Sequence, residues 1–394
     1  MEQSMLAMFE EGAERRGTNC EKWDHIVENF GHQDVLPLFV ADMDFRAPEC
    51  VVDAISARAQ HGVFGYSLRD EAASCALIQW MQQRHGLSIE KEHIRTSPGV
   101  VQSLLYALKA VCSAGDSVAV MPPVYGPFYR MVDNAGMNVR RCPLISTDDG
   151  RYAMDLSGFA SLCETESIRA LLLCSPHNPG GRIWTVGELT ELAAICKRHG
   201  VRIISDEIHM DFELHGHRHT PILNIPGAED AILLCSATKT FNLASLRHST
   251  IIAKDKGTLE RLDEVLTACG AGEPNLFGEL AQKTAYQSGA AWLDGLIEYV
   301  EGSEQLVRDF FAEKMPQFSI SPLEGTYLLW IDFRALGMPQ DKLVRFFCDE
   351  ARVGLTSGTF FGPEAEGFMR LNLATPRANI REALRRIERA VSAL

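Results

Sequence analysis

Apolar runs alternate with amphipathic stretches through the middle of the chain. Ser117–Met121, Ile168–Cys174, Val201–Ser205 and Ala231–Cys235 are short, apolar and bounded by turn residues, which predicts buried strands. Between the second and third runs a helix is marked at both ends. Thr185 caps it and Glu188 completes a capping box. Leu189, Leu192 and Cys196 recur at helical spacing, and Gly200 stops it. Another amphipathic helix opens at Ser97-Pro98-Gly99 and continues through Ala110. Such alternation predicts an α/β fold, a mostly parallel sheet flanked by helices.

The pattern changes in the last third. Thr284–Phe311 predicts one long helix leading away from the sheet. Ser319–Ile331 and Phe368–Leu373 predict strands, and Asn379–Val391 a basic amphipathic helix. These compose a smaller α+β unit. The chain carries no internal repeat, low-complexity stretch or long linker.

Composition narrows the function classes. Apolar residues make up 46% and charged residues 23%, ordinary for a globular protein. A formal charge of −14 argues against a nucleic-acid-binding surface. No apolar run approaches the roughly 20 residues that span a bilayer, so no membrane partner is expected. The start carries Glu2, Glu10, Glu11 and Glu14 without a basic region and apolar stretch, so no secretion signal is expected. The eleven cysteines are scattered singly, with no C-x-x-C pair, which fits reduced thiols and a cytoplasmic location. His215, His217 and His219 alternate in a polar stretch that reads as a solvated loop rather than a metal site. No G-x-G-x-x-G follows a first strand, so a nicotinamide site lacks its usual support.

The candidate chemistry lies just past the predicted strands, where open α/β sheets bind ligands. Ser236-Ala237-Thr238-Lys239 follows one of them. A lysine three residues after a serine suits pyridoxal phosphate: the amine bonds the cofactor aldehyde, and the hydroxyl reaches its phosphate. Ser-x-x-Lys also occurs in acyl-transferring hydrolases; the residues upstream separate the two. Asp206 ends the strand Val201–Ser205, placed to keep a pyridine nitrogen protonated; a strand-end surface carboxylate is the other reading. Asn178, in Ser175-Pro176-His177-Asn178-Pro179-Gly180-Gly181, offers an amide to a phenolic oxygen, although the segment would also serve as a plain turn. The backbone N–H groups after Ser97-Pro98-Gly99 open a helix and suit a phosphate. Tyr125, in the stiff segment Pro122–Phe128, can stack on a ring or belong to the core.

In this order the pieces resemble the fold-type-I pyridoxal-phosphate enzymes, the aspartate aminotransferase superfamily. Asp42-Met43-Asp44-Phe45, Phe64-Gly65-Tyr66, Ser205–Asp211, Lys239–Leu243, Glu324–Tyr327 and Phe368–Asn372 look like the cystathionine β-lyase branch of the MalY/PatB type. The likeness runs from about Lys22 to the C-terminus. Where many aminotransferases carry Tyr three positions after the Asp, this chain has His209.

The resemblance implies a large cofactor-binding domain, 46–285, and a small domain made of 1–45 with 286–394. It implies pyridoxal 5'-phosphate as the cofactor and a homodimer with the site at its interface. Lys239 would bond the cofactor and move the proton. Asp206, Asn178, Tyr125 and His209 would surround the ring. Val100, Val101, Ser236, Arg247 and the neighbouring subunit's copy of Tyr66 would hold the phosphate. Arg370, whose planar fork suits a carboxylate, would bind the substrate together with Asp44. The implied reaction is a C–S β-elimination on cystathionine or another cysteine S-conjugate, releasing a thiol, pyruvate and ammonia. Arg247, eight residues after Lys239, departs from the branch and matches a phosphate-binding arginine of aminotransferases, or is simply solvated. An aminotransferase, and a regulatory protein retaining the cofactor pocket, are the alternative readings.

Overall fold

In the computed structural model, which describes residues 2–394 with side chains from residue 5 onward, the apolar runs line up as one seven-stranded sheet. Its spatial order is Ile94–Ser97, Ser249–Ala253, Ile232–Cys235, Arg202–Asp206, Ile168–Cys174, Ser117–Val120, Asn138–Arg141. Every neighbouring pair is parallel except the two made by Ser249–Ala253. Successive side chains leave a strand on opposite faces, and both faces are buried here. Ala170, Leu172 and Ile204 pack under the helix Val100–Val111, while Leu171, Leu173 and Ile203 pack with Leu189 and Leu192 of the helix Val186–His199. The expected capping box forms, with Thr185 Oγ1 accepting from Glu188 N at 3.2 Å, and Gly200 closes the helix at φ 68°.

Three strands escaped the sequence pattern. Ile94–Ser97 and Asn138–Arg141 are sheet edges with half-exposed polar positions, and Ser249–Ala253 opens on buried hydroxyls rather than aliphatics. Ser97, Ser103 and Ser249 satisfy one another at 2.7–3.0 Å, which lets them sit in the interior.

Two other expectations need correction. The long helix over Thr284–Phe311 is two helices, Leu276–Ser288 and Ala290–Lys314, parted at Gly289. A side chain at Gly289 would meet Ala285 O at 2.6 Å and the Phe241 ring at 2.7 Å, so packing requires glycine at the break, which the continuing amphipathic period conceals. The strand over Ser319–Ile331 is likewise two, Ser319–Ile320 and Leu328–Asp332. Between them a loop passes through Thr326 at φ 72°.

The second sheet is antiparallel, in the order Ser319–Ile320, Leu328–Asp332, Phe368–Asn372, Thr356–Ser357. The apolar stripe of the helix Arg377–Ser392 supplies Ile380, Leu384 and Ile387 to the core on this side of the molecule. The N-terminal segment reaches the same region. Leu36–Pro37 pairs in parallel with Val353–Gly354, Leu38 N donates to Gly354 O, and Asn372 N donates to Leu38 O. Residues 39–45 then run on towards the large sheet. Among the described residues no helix is long and apolar enough to cross a membrane, and all eleven cysteines are free thiols.

Candidate active site

Strand register brings the sequence candidates together. Cys174 lies level with Asp206, Asp206 with Leu234, Cys235 with Thr250, and Ser249 with Ser97. Asn178, Asp206, Ser236 and the start of the helix at Val100 therefore emerge along one end of the sheet. Tyr125 follows the neighbouring strand Ser117–Val120. Lys239 sits on the short helix Ala237–Thr240, whose N-cap is Ser236. From the second sheet Arg370 enters the same space, its Nη1 donating to Asn178 Oδ1 at 2.9 Å.

Residues 39–45 form the wall between the two sheets. Arg370 Nη2 donates to Phe39 O at 3.0 Å and to Thr356 Oγ1 at 3.2 Å. Lys239 Nζ and Tyr327 Oη both donate to Ala41 O. Asn372 Nδ2 donates to Val40 O and Asp42 O, each at 2.6 Å. Asn242, three residues after Lys239 and at φ 58°, accepts from Met43 N and donates to Met43 O and Phe45 O at 2.9–3.0 Å. The turn that carries the lysine is thus fastened to the wall. Asn242, Tyr327 and Asn372 lie in runs that carry the family resemblance, but nothing in the sequence assigned them, or Thr356, a role of their own.

The electrostatics follow from burial. Asp206 is 6% exposed, and its side chain accepts from Ile208 N at 3.1 Å. Burial, with Glu207 beside it, raises its pKa to about 7 against the lowering by that hydrogen bond and by Lys239. Burial also lowers Lys239 to about 8 and Arg370 to about 10. His209 is driven well below its ordinary value by burial and by the cations Lys239 and Arg370, so its ring is neutral. Its ring lies 5.9 Å from that of Tyr327.

Two of these groups are incompletely satisfied. Among the described residues His209 Nδ1 and Arg370 Nε are buried without a hydrogen-bond partner. Such orphaned atoms are costly unless something completes them. The set is complementary to pyridoxal phosphate and an amino acid: an amine for an aldehyde, a carboxylate for a ring nitrogen, a guanidinium for a carboxylate. Asn178 turns its Oδ1 to Arg370 and so its Nδ2 away from the guanidinium. Val100 and Val101 open their helix, where N–H groups have no intrahelical acceptor. Arg247, exposed and at φ 50°, lies 3.0 Å from the Gln102 amide of that same first turn.

Three candidates stand differently. Asp44, expected beside the substrate, is engaged with the N-terminal segment. Its buried carboxylate accepts from Lys22 Nζ at 2.7 Å, Trp23 Nε1 at 2.8 Å and Arg15 Nη1 at 2.9 Å, which spends both oxygens on the N-terminal segment. Ser236 directs its hydroxyl to His248 O at 2.6 Å and accepts from Thr238 N, as a helix cap does. Tyr66 is fully exposed, on a segment where Phe64 and Leu68 are exposed as well. The alternating histidines part company: His219 is buried against Glu207 at 2.8 Å and His215 pairs with Glu304, and no metal-ligating cluster occurs among the described residues.

Comparison with known proteins agrees with this geometry. A family model for aminotransferase class I and II matches residues 33–387. The chain is 40% identical to the cystathionine beta-lyase PatB of Bacillus subtilis, covering 98% of this chain and 100% of that one. It is 31% identical to the protein MalY of Escherichia coli, covering 98% and 99%. It superposes on cystalysin from Treponema denticola, a crystal structure containing pyridoxal 5'-phosphate, with a TM-score of 0.94 at 32% identity, covering 98% of each chain. The chain belongs to the class I and II aminotransferase family of fold-type-I pyridoxal-phosphate enzymes, in the branch that holds PatB and MalY.

Proposed function

We propose that this protein is a pyridoxal-phosphate-dependent C–S β-lyase that cleaves cystathionine or related cysteine S-conjugates to a thiol, pyruvate and ammonia. The observation that carries the reading is the convergence of Lys239, Asp206, Asn178 and Arg370 on one buried site, in a chain 40% identical over its length to a cystathionine β-lyase. When bound, pyridoxal phosphate supplies an electron sink for the charge that develops at the substrate Cα. Arg370 holds the α-carboxylate with its planar fork. Lys239 would take the Cα proton on Nζ, and a pKa of about 8 suits that task near neutral pH. The electron pair of the broken C–H bond then expels the thiolate from Cβ, and water completes the release of pyruvate and ammonia.

Asp206 would face the ring nitrogen and Asn178 the phenolic oxygen, with Tyr125 and His209 against the ring. Val100 and Val101 N–H and Arg247 would hold the phosphate, Ser236 would reach it only by turning its hydroxyl from His248 O, and Tyr66 would be supplied by a second copy of the chain in a homodimer. The exposed Phe64, Tyr66 and Leu68 support that assembly. Residues 46–285 form the large domain, and 1–45 with 286–394 the small one. Eleven free thiols support a cytoplasmic location. Replacing Lys239 with Ala in the cofactor-loaded enzyme tests the reading. Thiol release from a cysteine S-conjugate falls by about 10³-fold or more; a rate within tenfold of the parent contradicts it.

A further inference from the structure

Arg370, the proposed α-carboxylate seat, is buried, so the exposed residues beside it are those a sulfur substituent can reach. The turn Gly358–Phe361 borders the site, touching Arg370 through Phe361 and Tyr125 through Phe360. Phe361 is buried, with the Arg370 guanidinium 4.9 Å above its ring. Its neighbour Phe360 is 44% exposed and meets the Tyr125 ring edge-on, at 5.8 Å and 60°.

This exposed ring is held firmly. Phe361 O accepts from Val124 N at 2.8 Å and from Tyr129 Oη at 2.9 Å, which pins the turn to the Tyr125 segment. Gly126 permits that closeness, since a side chain there would meet Phe360 O at 2.8 Å. Beside the turn, Arg141 forks onto Glu364 at 2.5 and 3.0 Å. The turn therefore presents a backbone-anchored aromatic face beside an ion pair that is already matched. An aromatic partner in edge or offset contact with such a ring gains affinity that a polar group does not.

We infer that Phe360 is a specificity-determining residue that favours cysteine S-conjugates with an aromatic or bulky apolar group on sulfur over the zwitterionic far end of cystathionine. The inference rests on the β-lyase reading for its substrate class, but it concerns a binding preference and can be tested apart from the reaction. The probe is 3-(benzylsulfanyl)propanoate, which keeps the carboxylate and sulfur of the substrate but has no amine and cannot react. The reference is 3-(methylsulfanyl)propanoate.

Calorimetry on the cofactor-loaded protein measures the ratio of the two dissociation constants. Phe360→Ala lowers the preference for the benzyl compound by about tenfold, the size of a lost aromatic contact. Phe360→Tyr keeps it. The ratio of kcat/KM for S-benzyl-L-cysteine to that for L-cystathionine falls in parallel in Phe360→Ala. A ratio that Phe360→Ala leaves within twofold, or that Phe360→Tyr loses as fully as Phe360→Ala, overturns the inference. Failure of the reaction reading shows separately, as amine transfer in place of pyruvate and thiol, with the binding ratio still measurable.

Discussion

Asp206 should make the cofactor-free protein less stable, and the size of that penalty can be worked from its surroundings. Burial raises its pKa from 3.8 to about 7. Between those values the folded protein holds a proton that the unfolded chain has released, so stability falls as pH rises through this window. Above pH 7 the full penalty applies, roughly 4 kcal/mol at 1.36 kcal/mol per unit. At pH 5 only about a third of it has developed by the same relation. Asp206→Asn keeps the shape and cannot ionise. The stability difference between the variant and the parent should therefore grow in the variant's favour by about 2–3 kcal/mol from pH 5 to pH 8. Urea titrations of both cofactor-free proteins at the two pH values, followed by tryptophan fluorescence, measure it. Comparing the change with pH cancels any constant effect of the amide. In the loaded enzyme the same substitution should cut turnover heavily, because nothing then holds the ring nitrogen protonated. A difference independent of pH, or one that shrinks towards pH 8, refutes the reasoning.

Two further substitutions probe the site and the wall. Arg370→Lys keeps the charge but loses the fork, and forfeiting one charge-assisted hydrogen bond of about 1.5–3 kcal/mol should lower kcat/KM by about 10–100-fold; steady-state kinetics within twofold of the parent would place the carboxylate elsewhere. Lys22→Met breaks the buried pair with Asp44 at 2.7 Å and should cost about 3 kcal/mol of stability, read as a lower urea midpoint. If it instead abolishes substrate binding in a protein of unchanged stability, Asp44 belongs to the substrate site after all.

The parts of the molecule legible in the sequence are those governed by local rules. Ile168–Cys174 reads as a strand because it is short, apolar and bounded by turns, and Thr185 and Glu188 mark a helix start by chemistry that needs no tertiary partner. The site residues were legible for a related reason: strands of a parallel sheet end together, so polar residues after Cys174, Ser205 and Cys235 meet. What stayed hidden depends on residues far apart in sequence. The break at Gly289 sits where Phe241 leaves no room for a side chain. Asp44 lies within a run that resembles the lyase branch, yet its oxygens are taken by Arg15, Lys22 and Trp23. Asp211 accepts from Trp80, His85 and Thr240, the residue next to Lys239, joining a helix more than 100 residues upstream to the lysine turn. No pattern within a single segment encodes such a junction.

The central claim is that this chain eliminates rather than transfers the amine. Incubating the cofactor-loaded protein with L-cystathionine, in the absence of any keto acid, and following thiol and pyruvate together tests it most directly. The account predicts that both accumulate in equal amounts over many turnovers. No thiol and no pyruvate beyond one equivalent of protein, with turnover restored by adding a keto acid, would contradict it and identify an aminotransferase.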